Sequence, residues 1–391
     1  MKILHLNPTF YPAFSYGGTV TVSYNLSKAL AKMGHDITVF TSDTIDEHTR
    51  QKEQYVEREG VKIYYFRNIS NSLAWRRFFL YPGMISALKG QIKSFDIVHL
   101  HDTRNFQNIV AAHYAKKFRI PYVVQPHGSL PRIISKQRLK KIYDIIWGNN
   151  ILKNASKIVA VSSTEAEQFK QAGIPQGKIV IIPNGINTTS FADFSPPGGL
   201  REQHGINGKH IILYVGRINK LKGIDFLIRA YKLFLQTWTG EDVTLIIGGP
   251  DDNYRPTLDK LVKQLGLSEK IKFIGPVKCP TIAYRDADVL VYPSMYEIFG
   301  LVPFEALLCG TPVIVTGDCG CGEIIREAKC GYLIRYGDEA SLSEALRYVL
   351  TNPEENKKMV ESGKKHIEGH LTWENVVKQV EKLYEDCIHN Y

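Results

Sequence analysis

Short runs of β-branched and aliphatic residues alternate along the chain with longer stretches whose apolar positions recur every three or four residues. The runs Lys2–Leu6, Ile37–Thr41, Ile63–Phe66, Ile97–Leu100, Tyr122–Gln125, Ile158–Val161 and Val180–Ile182 read as strands. Between the first two, Val22, Leu26, Ala29 and Leu30 fall on one face of a helix over Val20–Met33, and Gly34 suits its end because glycine tolerates the left-handed conformation there. Strands that are apolar almost throughout, separated by helices, imply a parallel sheet covered on both faces. The alternation stops at Ser195-Pro196-Pro197-Gly198-Gly199, which continues neither a helix nor a central strand. It restarts with Ile211–Val215, a helix over Ile224–Leu235, and strands Val243–Ile247, Ile271–Ile274, Val289–Tyr292 and Val313–Val315. The pattern predicts an α/β protein of two doubly wound, Rossmann-like domains facing across a cleft. The first spans 1–190, a linker 191–207, the second 208–372. Residues 373–391 form a terminal helix with Val376, Val377, Val380 and Leu383 on one side, expected to return to the first domain. Ligands of such sheets bind beyond the carboxyl ends of the strands.

Charge divides the halves. Residues 1–190 carry 25 Lys+Arg against 12 Asp+Glu, whereas 191–391 carry 24 against 27, a net of +13 and −3. A basic first half suggests an anionic partner on that side. No apolar run reaches the roughly 20 residues needed to cross a bilayer, and the opening Met1–Pro8 is interrupted too early for a secretory signal. The six cysteines all lie in the second half without CxxC spacing, and Cys319-Gly-Cys321 is too tight for zinc, so reduced structural thiols and a cytoplasmic location are expected.

The chemistry concentrates in two segments. Strand Val289–Tyr292 leads through Pro293-Ser294 into Glu297-Ile298-Phe299-Gly300-Leu301-Val302-Pro303-Phe304-Glu305. Pro303 fits the first turn of a helix opening near Gly300, whose free N–H groups and positive dipole end favour an anion such as a diphosphate. Gly300 permits close approach to the backbone, and Glu297 and Glu305 are placed to bracket one ligand. Strand Ile211–Val215 ends in Gly216-Arg217 and Lys222-Gly223 before another helix. Helix starts usually favour acids, so cations there need a reason. Arg217 can fork two hydrogen bonds onto phosphate oxygens and Lys222 adds a point charge.

These segments together resemble family 4 retaining glycosyltransferases of the GT-B fold. Tyr16-Gly17-Gly18 is similar to that family's glycine loop, and Pro126-His127-Gly128 and Ile182-Pro183-Asn184-Gly185-Ile186 match as well. The resemblance runs from residue 1 to about 385. It implies a nucleotide-diphosphate-sugar donor, retention of anomeric configuration by front-face attack, and no metal or other cofactor. Arg217 and Lys222, helped by the backbone of Phe299, Gly300 and Leu301, would hold the diphosphate. Glu305 would bind ribose hydroxyls, Glu297 would contact the transferred sugar, and His127 would hydrogen-bond that sugar from the opposite domain. Gly17 and Gly18 would approach the phosphates or the acceptor. The sequence departs from the family at Asn187, where Asp is frequent, and at Asp318–Glu323.

His99 and His101 share one strand face and with His127 could form a metal triad. No Asp-x-Asp motif accompanies them, so a hydrogen-bonding role is expected and no metal site is assigned. Asp102 is a candidate for the acceptor site. A 2-epimerase of the same fold is the alternative reading, and Glu297/Glu305 favours transfer over it. An oxidoreductase would need G-x-G-x-x-G spacing, which Tyr16-Gly17-Gly18 lacks. Net charge would allow a nucleic-acid-binding module, but no recognition motif is present and no nucleic-acid partner is expected. The acceptor is expected to be a glycan or a lipid-linked sugar. Arg132, Lys136, Arg138, Lys140 and Lys141, with the aromatic and basic run Trp75–Tyr81, suit an anionic membrane surface. The enzyme would then sit peripherally on the inner face of the cytoplasmic membrane.

Overall fold

The apolar runs form two sheets. Strands β1 (Lys2–Leu6), β2 (Asp36–Ser42), β3 (Tyr55–Arg58), β4 (Val61–Phe66), β5 (Ile97–His101), β6 (Tyr122–Gln125), β7 (Lys157–Ala160) and β8 (Ile179–Ile181) make the first, in the order β3-β4-β2-β1-β5-β6-β7-β8. Strands β9 (His210–Val215), β10 (Val243–Gly248), β11 (Ile271–Gly275), β12 (Val289–Tyr292), β13 (Val313–Thr316) and β14 (Tyr332–Ile334) make the second, in the order β11-β10-β9-β12-β13-β14. This is a computed structural model and describes residues 1–132, 136–191, 198–206 and 208–391. The chain divides into two compact units, Met1–Gly185 with Trp373–Tyr391, and Ile186–Thr372. Residues 192–197 and 207 of the expected linker lie outside the described residues. Of the remainder, Gly199–His204 is helical, and the Asp286 carboxylate accepts from the backbone N–H of Gly198 and Leu200.

All pairings are parallel except that of β3 with β4. β3 is an edge strand whose side chains are mostly exposed, so it lacks the apolar signature of the others. Its two-residue turn, Glu59 (φ 51°) and Gly60 (φ 80°), puts both central residues in the left-handed region, as tight hairpins require. In each sheet strand order reverses at one place: between β1 and β5, and between β9 and β12. Ligands of doubly wound sheets sit at such reversals, so the topology directs attention to the ends of these four strands.

Each unit has its own core. Leu4, Leu6, Val98, Leu100 and Val124 are buried with helix residues such as Ala111 and Phe169 in the first. Ile212, Tyr214, Leu245 and Val291 pack with Leu227, Phe234 and Leu346 in the second. The helix Trp373–His389 buries Val376, Val377, Val380, Leu383 and Tyr384 and packs on the helix Gly18–Lys32 of the first unit. The Trp373 ring lies over Gly185, where a Cβ would come within 2.3 Å of it. No helix among the described residues is long and apolar enough to cross a membrane.

Candidate functional site

In the second unit the four backbone segments after β9, β10, β12 and β13 crowd together, and glycines make this possible. Gly249 (φ 146°) would bring a Cβ within 1.8 Å of the Gly216 carbonyl oxygen. After β9, Arg217 is followed by a 3₁₀ turn over Lys220–Lys222, opened by Asn219, whose side chain accepts from the Leu221 N–H at 3.1 Å. Gly223 (φ 65°) lies so close to the Pro293 carbonyl that a Cβ would be 2.0 Å away. The Met295 N–H then donates to the Leu221 carbonyl at 2.8 Å. This contact carries Lys222 to Glu297.

Lys222 Nζ lies 2.6 Å from Glu297 Oε2, with the two side chains 13% and 17% exposed. The Tyr292 hydroxyl donates to the same carboxylate oxygen at 2.7 Å and accepts from Lys222 at 3.2 Å. Burial pushes the Glu297 carboxyl up, but the Lys222 ammonium and the Tyr292 hydroxyl outweigh it and hold the group below the usual carboxylate range. Arg217 is exposed and has no acidic partner among the described residues. Its carbonyl accepts from the buried Tyr214 hydroxyl at 3.0 Å, which fixes the backbone beneath it. The residues expected to clamp a diphosphate are thus gathered here, with Lys222 already paired to Glu297.

Gly300 (φ 74°) ends the loop after β12, and the helix Leu301–Leu308 starts behind it with Pro303 in its first turn. A Cβ at Gly300 would meet Glu297 Cγ and a Tyr292 ring carbon at 3.1 Å. Glycine here serves the fold as well as any ligand. Phe299 is buried against Phe304, their ring centroids 5.5 Å apart. Glu305 takes the Tyr284 hydroxyl at 2.8 Å, and burial raises its carboxyl against the opposing pull of that bond. The helix Gly320–Ala328 meets the same loop: the Gly320 N–H donates to the Glu297 carbonyl at 3.0 Å. The thiols of Cys319 and Cys321 lie 3.2 Å apart, and all six cysteines are free.

In the first unit the corresponding strand ends carry histidine. Register pairs His5 of β1 with His99 of β5, and both are fully buried with His101. His127 follows β6 in the left-handed conformation (φ 51°), as does Gly128 (φ 77°). For a non-glycine residue such a backbone is uncommon and must be held in place. Glu165 does this: its carboxylate accepts from the Gly128 N–H at 2.6 Å and the Val161 N–H at 2.8 Å. Burial raises the Glu165 carboxyl to about 7, and those two bonds pull the other way. His127 Nε2 meets His101 Nδ1 at 2.9 Å, and His101 Nε2 meets His5 Nδ1 at 3.2 Å. His5, His99 and His101 each bring a ring nitrogen within 4.8 Å of the others. The rings of His99 and His101 stack at 19°, their centroids 4.1 Å apart. Gly17 needs its φ of 101°, whereas Gly18, the first residue of its helix, has open space where a side chain would stand. Asp102 has φ 59°, and burial raises its carboxyl to about 6.

Sequence reasoning missed Glu165, Tyr292, Tyr384, Ser27 and His5. Of these His5 was recoverable: Ile3-Leu4-His5 and Ile97-Val98-His99 repeat one strand pattern.

A second feature of the first unit is a helix turned inside out. Gln137–Tyr143 continues through Asp144–Gly148 into Asn149–Asn154. Its buried face holds Asp144, which pairs with Arg104 at 2.8 Å and Arg132 at 3.0 Å. Leu139, Ile142, Ile145, Ile146 and Trp147 face out, Ile145 being 65% exposed. Phe78 and Leu80 are exposed nearby in sequence to the buried Phe79, and Lys136 lies over the Phe78 ring at 4.1 Å. Residues 133–135 of the basic run lie outside the described residues.

Two Rossmann-like α/β units, the second carrying a cationic turn and a helix start that share one glutamate, define the GT-B class of glycosyltransferases. The chain belongs to the group 1, family 4 glycosyltransferases: residues 199–366 match the family described as glycosyl transferases group 1, and residues 16–190 match glycosyltransferase family 4. It is an enzyme of the transferase class. An uncharacterized glycosyltransferase of Methanocaldococcus jannaschii is 28% identical over 96% of this chain and 96% of its own. The D-inositol 3-phosphate glycosyltransferase of Thermobifida fusca is 27% identical over 99% of this chain and 92% of its own. Among solved structures, Anabaena HepE in complex with UDP-glucose superposes with a TM-score of 0.76 at 21% identity, covering 99% of this chain and 100% of that one. That last likeness is one of fold.

Proposed function

We propose that this glycosyltransferase moves a sugar from a nucleotide-diphosphate donor to a glycan or lipid-linked acceptor, with retention and without a metal ion. The observation that carries this reading is the Lys222–Glu297 pair near two helix starts, with Arg217, which has no acidic partner among the described residues, on the same backbone segment after β9 as Lys222. Those groups offer two positive charges and free N–H groups to a diphosphate. Lys222 and Arg217 stabilise the departing nucleotide, which is the part a divalent ion would otherwise play. Glu297 contacts the sugar, His127 hydrogen-bonds it, and Glu305 takes the ribose hydroxyls. The backbone of Phe299, Gly300 and Leu301 meets phosphate, as do Gly17 and Gly18. The bond from the anomeric carbon to the diphosphate breaks while the acceptor hydroxyl oxygen bonds on the same face, its proton passing to the departing diphosphate oxygen. The UDP-glucose held by HepE is a donor of this chemical class.

The test is a panel of nucleotide sugars screened by thermal stabilisation, since a ligand bound only to the folded state raises Tm. The donor so found is then used in transfer assays with and without EDTA. Transfer is expected to survive the chelator and to keep the anomeric configuration by NMR. Abolition by EDTA with recovery on manganese would remove the metal-free reading, and an inverted product would remove retention. Glu305→Gln is expected to weaken donor binding about tenfold or more by calorimetry, because it loses charge-assisted hydrogen bonds. Unchanged affinity would take Glu305 out of the site.

The acceptor side is proposed to rest on the inner face of the cytoplasmic membrane through the outward apolar face of helix 137–154. Each cation near an anionic leaflet contributes about 1 kcal/mol, and Lys140 and Lys141 stand on the same helix as the exposed isoleucines. In sedimentation with anionic vesicles at low salt the protein is expected to pellet. The double variant Ile145→Asp, Ile146→Asp is expected to stay in solution, as roughly 1.5–3 kcal/mol of burial is lost per side chain. Negligible binding to anionic and neutral vesicles alike would dismiss the membrane and leave the transferase standing.

A further inference from the structure

We infer that His101 is a positioning residue that fixes the ring tautomer of His127, so that His127 presents Nδ1–H as a hydrogen-bond donor to the transferred sugar. This rests on the reading of His127 as a sugar contact. The direction of the hydrogen bonds follows from one end. The Ser27 hydroxyl donates to the Ser23 carbonyl at 2.8 Å, and a carbonyl can only accept. Ser27 Oγ, having spent its one hydrogen, must accept from His5 Nδ1, 3.2 Å away. His5 therefore carries its proton on Nδ1. The same N–H faces His101 Nε2 at 3.2 Å, which must be bare. A neutral His101 then carries its proton on Nδ1 and donates to His127 Nε2 at 2.9 Å. That leaves the proton of His127 on Nδ1, the one ring nitrogen of His127 with no partner among the described residues.

The other end agrees. His5 Nε2, bare by this assignment, faces the Tyr384 hydroxyl at 3.4 Å, and that hydroxyl meets His99 Nδ1 at 2.6 Å. With His99 donating from Nδ1 to Tyr384 and Tyr384 donating to His5, all five groups point one way. His99 Nε2 is buried without a partner among the described residues. In this direction it is a bare acceptor; in the reverse direction it would be an orphaned N–H, the rarer defect. The reverse direction would also require Ser27 to abandon the Ser23 carbonyl. Burial keeps all four imidazoles neutral, lowering His5 and His127 to about 3 and His99 and His101 well below their ordinary value. Each ring thus carries one proton, which is what makes the relay directional.

A donor is what a sugar contact needs here. A hydroxyl oxygen already engaged as a donor elsewhere can still accept from Nδ1–H, and the rigid left-handed backbone at His127, held by Glu165, leaves the ring plane little freedom.

The tautomer is read directly by long-range ¹H–¹⁵N NMR of histidine-labelled protein, with the His127 signals assigned by their loss in His127→Gln. In the wild-type protein His127 is expected as the Nδ1–H form. His101→Asn places an amide N–H where Nδ1–H stood and is expected to preserve that form. His101→Leu is expected to release a mixture of tautomers and to lower kcat about tenfold with the donor KM near wild type, the loss of one hydrogen bond. His101→Asn is expected to recover most of that loss. Should His101→Leu fail to fold by circular dichroism, Ser27→Ala, which removes the anchoring acceptor, takes its place in the NMR comparison. An Nε2–H form of His127 in the wild-type protein overturns the inference, as does equal turnover in the leucine and asparagine variants. The NMR result needs no substrate, so failure to find any transferred sugar would sink the proposed function and leave the tautomer assignment intact.

Discussion

Lys222→Ala is expected to lower turnover by about 10²–10³-fold, the loss that follows from removing a preorganised charge proposed to face the leaving group. Arg217→Ala falls in the same range. The two differ in stability. Arg217 is exposed and has no acidic partner among the described residues, so its loss is expected to be nearly neutral to the fold. Lys222 balances a buried carboxylate, and its removal leaves Glu297 charged among neutral donors such as the Tyr292 hydroxyl and the Ile298 N–H. Breaking a buried pair from one side costs about 3–5 kcal/mol. The double variant Lys222→Ala, Glu297→Gln is expected to regain most of the stability while remaining inactive, and a double-mutant cycle on Tm and on kcat separates the two roles. Near-normal turnover in both Lys222→Ala and Arg217→Ala would end the diphosphate assignment.

Gly320→Ala is the second large effect. A Cβ there would lie 1.7 Å from the Ile298 carbonyl oxygen and 2.9 Å from the Phe299 nitrogen. That peptide is backbone and cannot step aside as a flexible side chain would. The loop from Glu297 to Leu301 must move, carrying the Glu297 carboxylate away from Lys222. A cost of about 3 kcal/mol follows, equivalent to a Tm lower by roughly 6–12 °C for a unit of this size. Donor-induced stabilisation is expected to vanish with it. Gly90 is the control: it lies in the helix Met84–Gln91 with nothing within 4 Å of its missing Cβ, so Gly90→Ala is expected to be neutral or slightly stabilising. An unshifted melting curve for Gly320→Ala would show that the two segments are not in the contact described.

The strands that the hydrophobic pattern revealed are those buried on both faces, because only they leave an uninterrupted apolar run. β3 escaped notice because an edge strand with one solvated face needs no such run, and its signal, Glu59-Gly60 between two short polar-apolar stretches, is a turn signal. β14, three residues long, is defined by its pairing with β13 and has almost no local pattern. The chemistry followed the same rule. Arg217, Lys222, Glu297, Gly300 and Glu305 were visible because they cluster in two short segments. That Lys222 and Glu297 neutralise each other, 75 positions apart in sequence, depends on the crossing of the backbone after β9 and β12. The histidine relay is less local still: Tyr384 reaches His99 across 285 positions. Glu165, one of two glutamates on its helix, gave no sign in sequence that it holds the His127–Gly128 corner.

The return of helix Trp373–His389 to the first unit bears on how the protein comes into being. Tyr384 and the Trp373 ring over Gly185 are parts of that unit, yet roughly 190 residues are synthesised between Gly185 and Trp373. At about 5–20 residues per second the wait is about 10–40 s. Throughout it the nascent first unit lacks the apolar strip of Val376, Val377 and Val380, and Val22 and Leu26, which line the same hollow, stay uncovered. The second unit, whose residues are contiguous, has all of its residues synthesised before Trp373–Tyr391 are added. A vectorially growing chain therefore finishes its later half before its earlier one, and the histidine relay is assembled last.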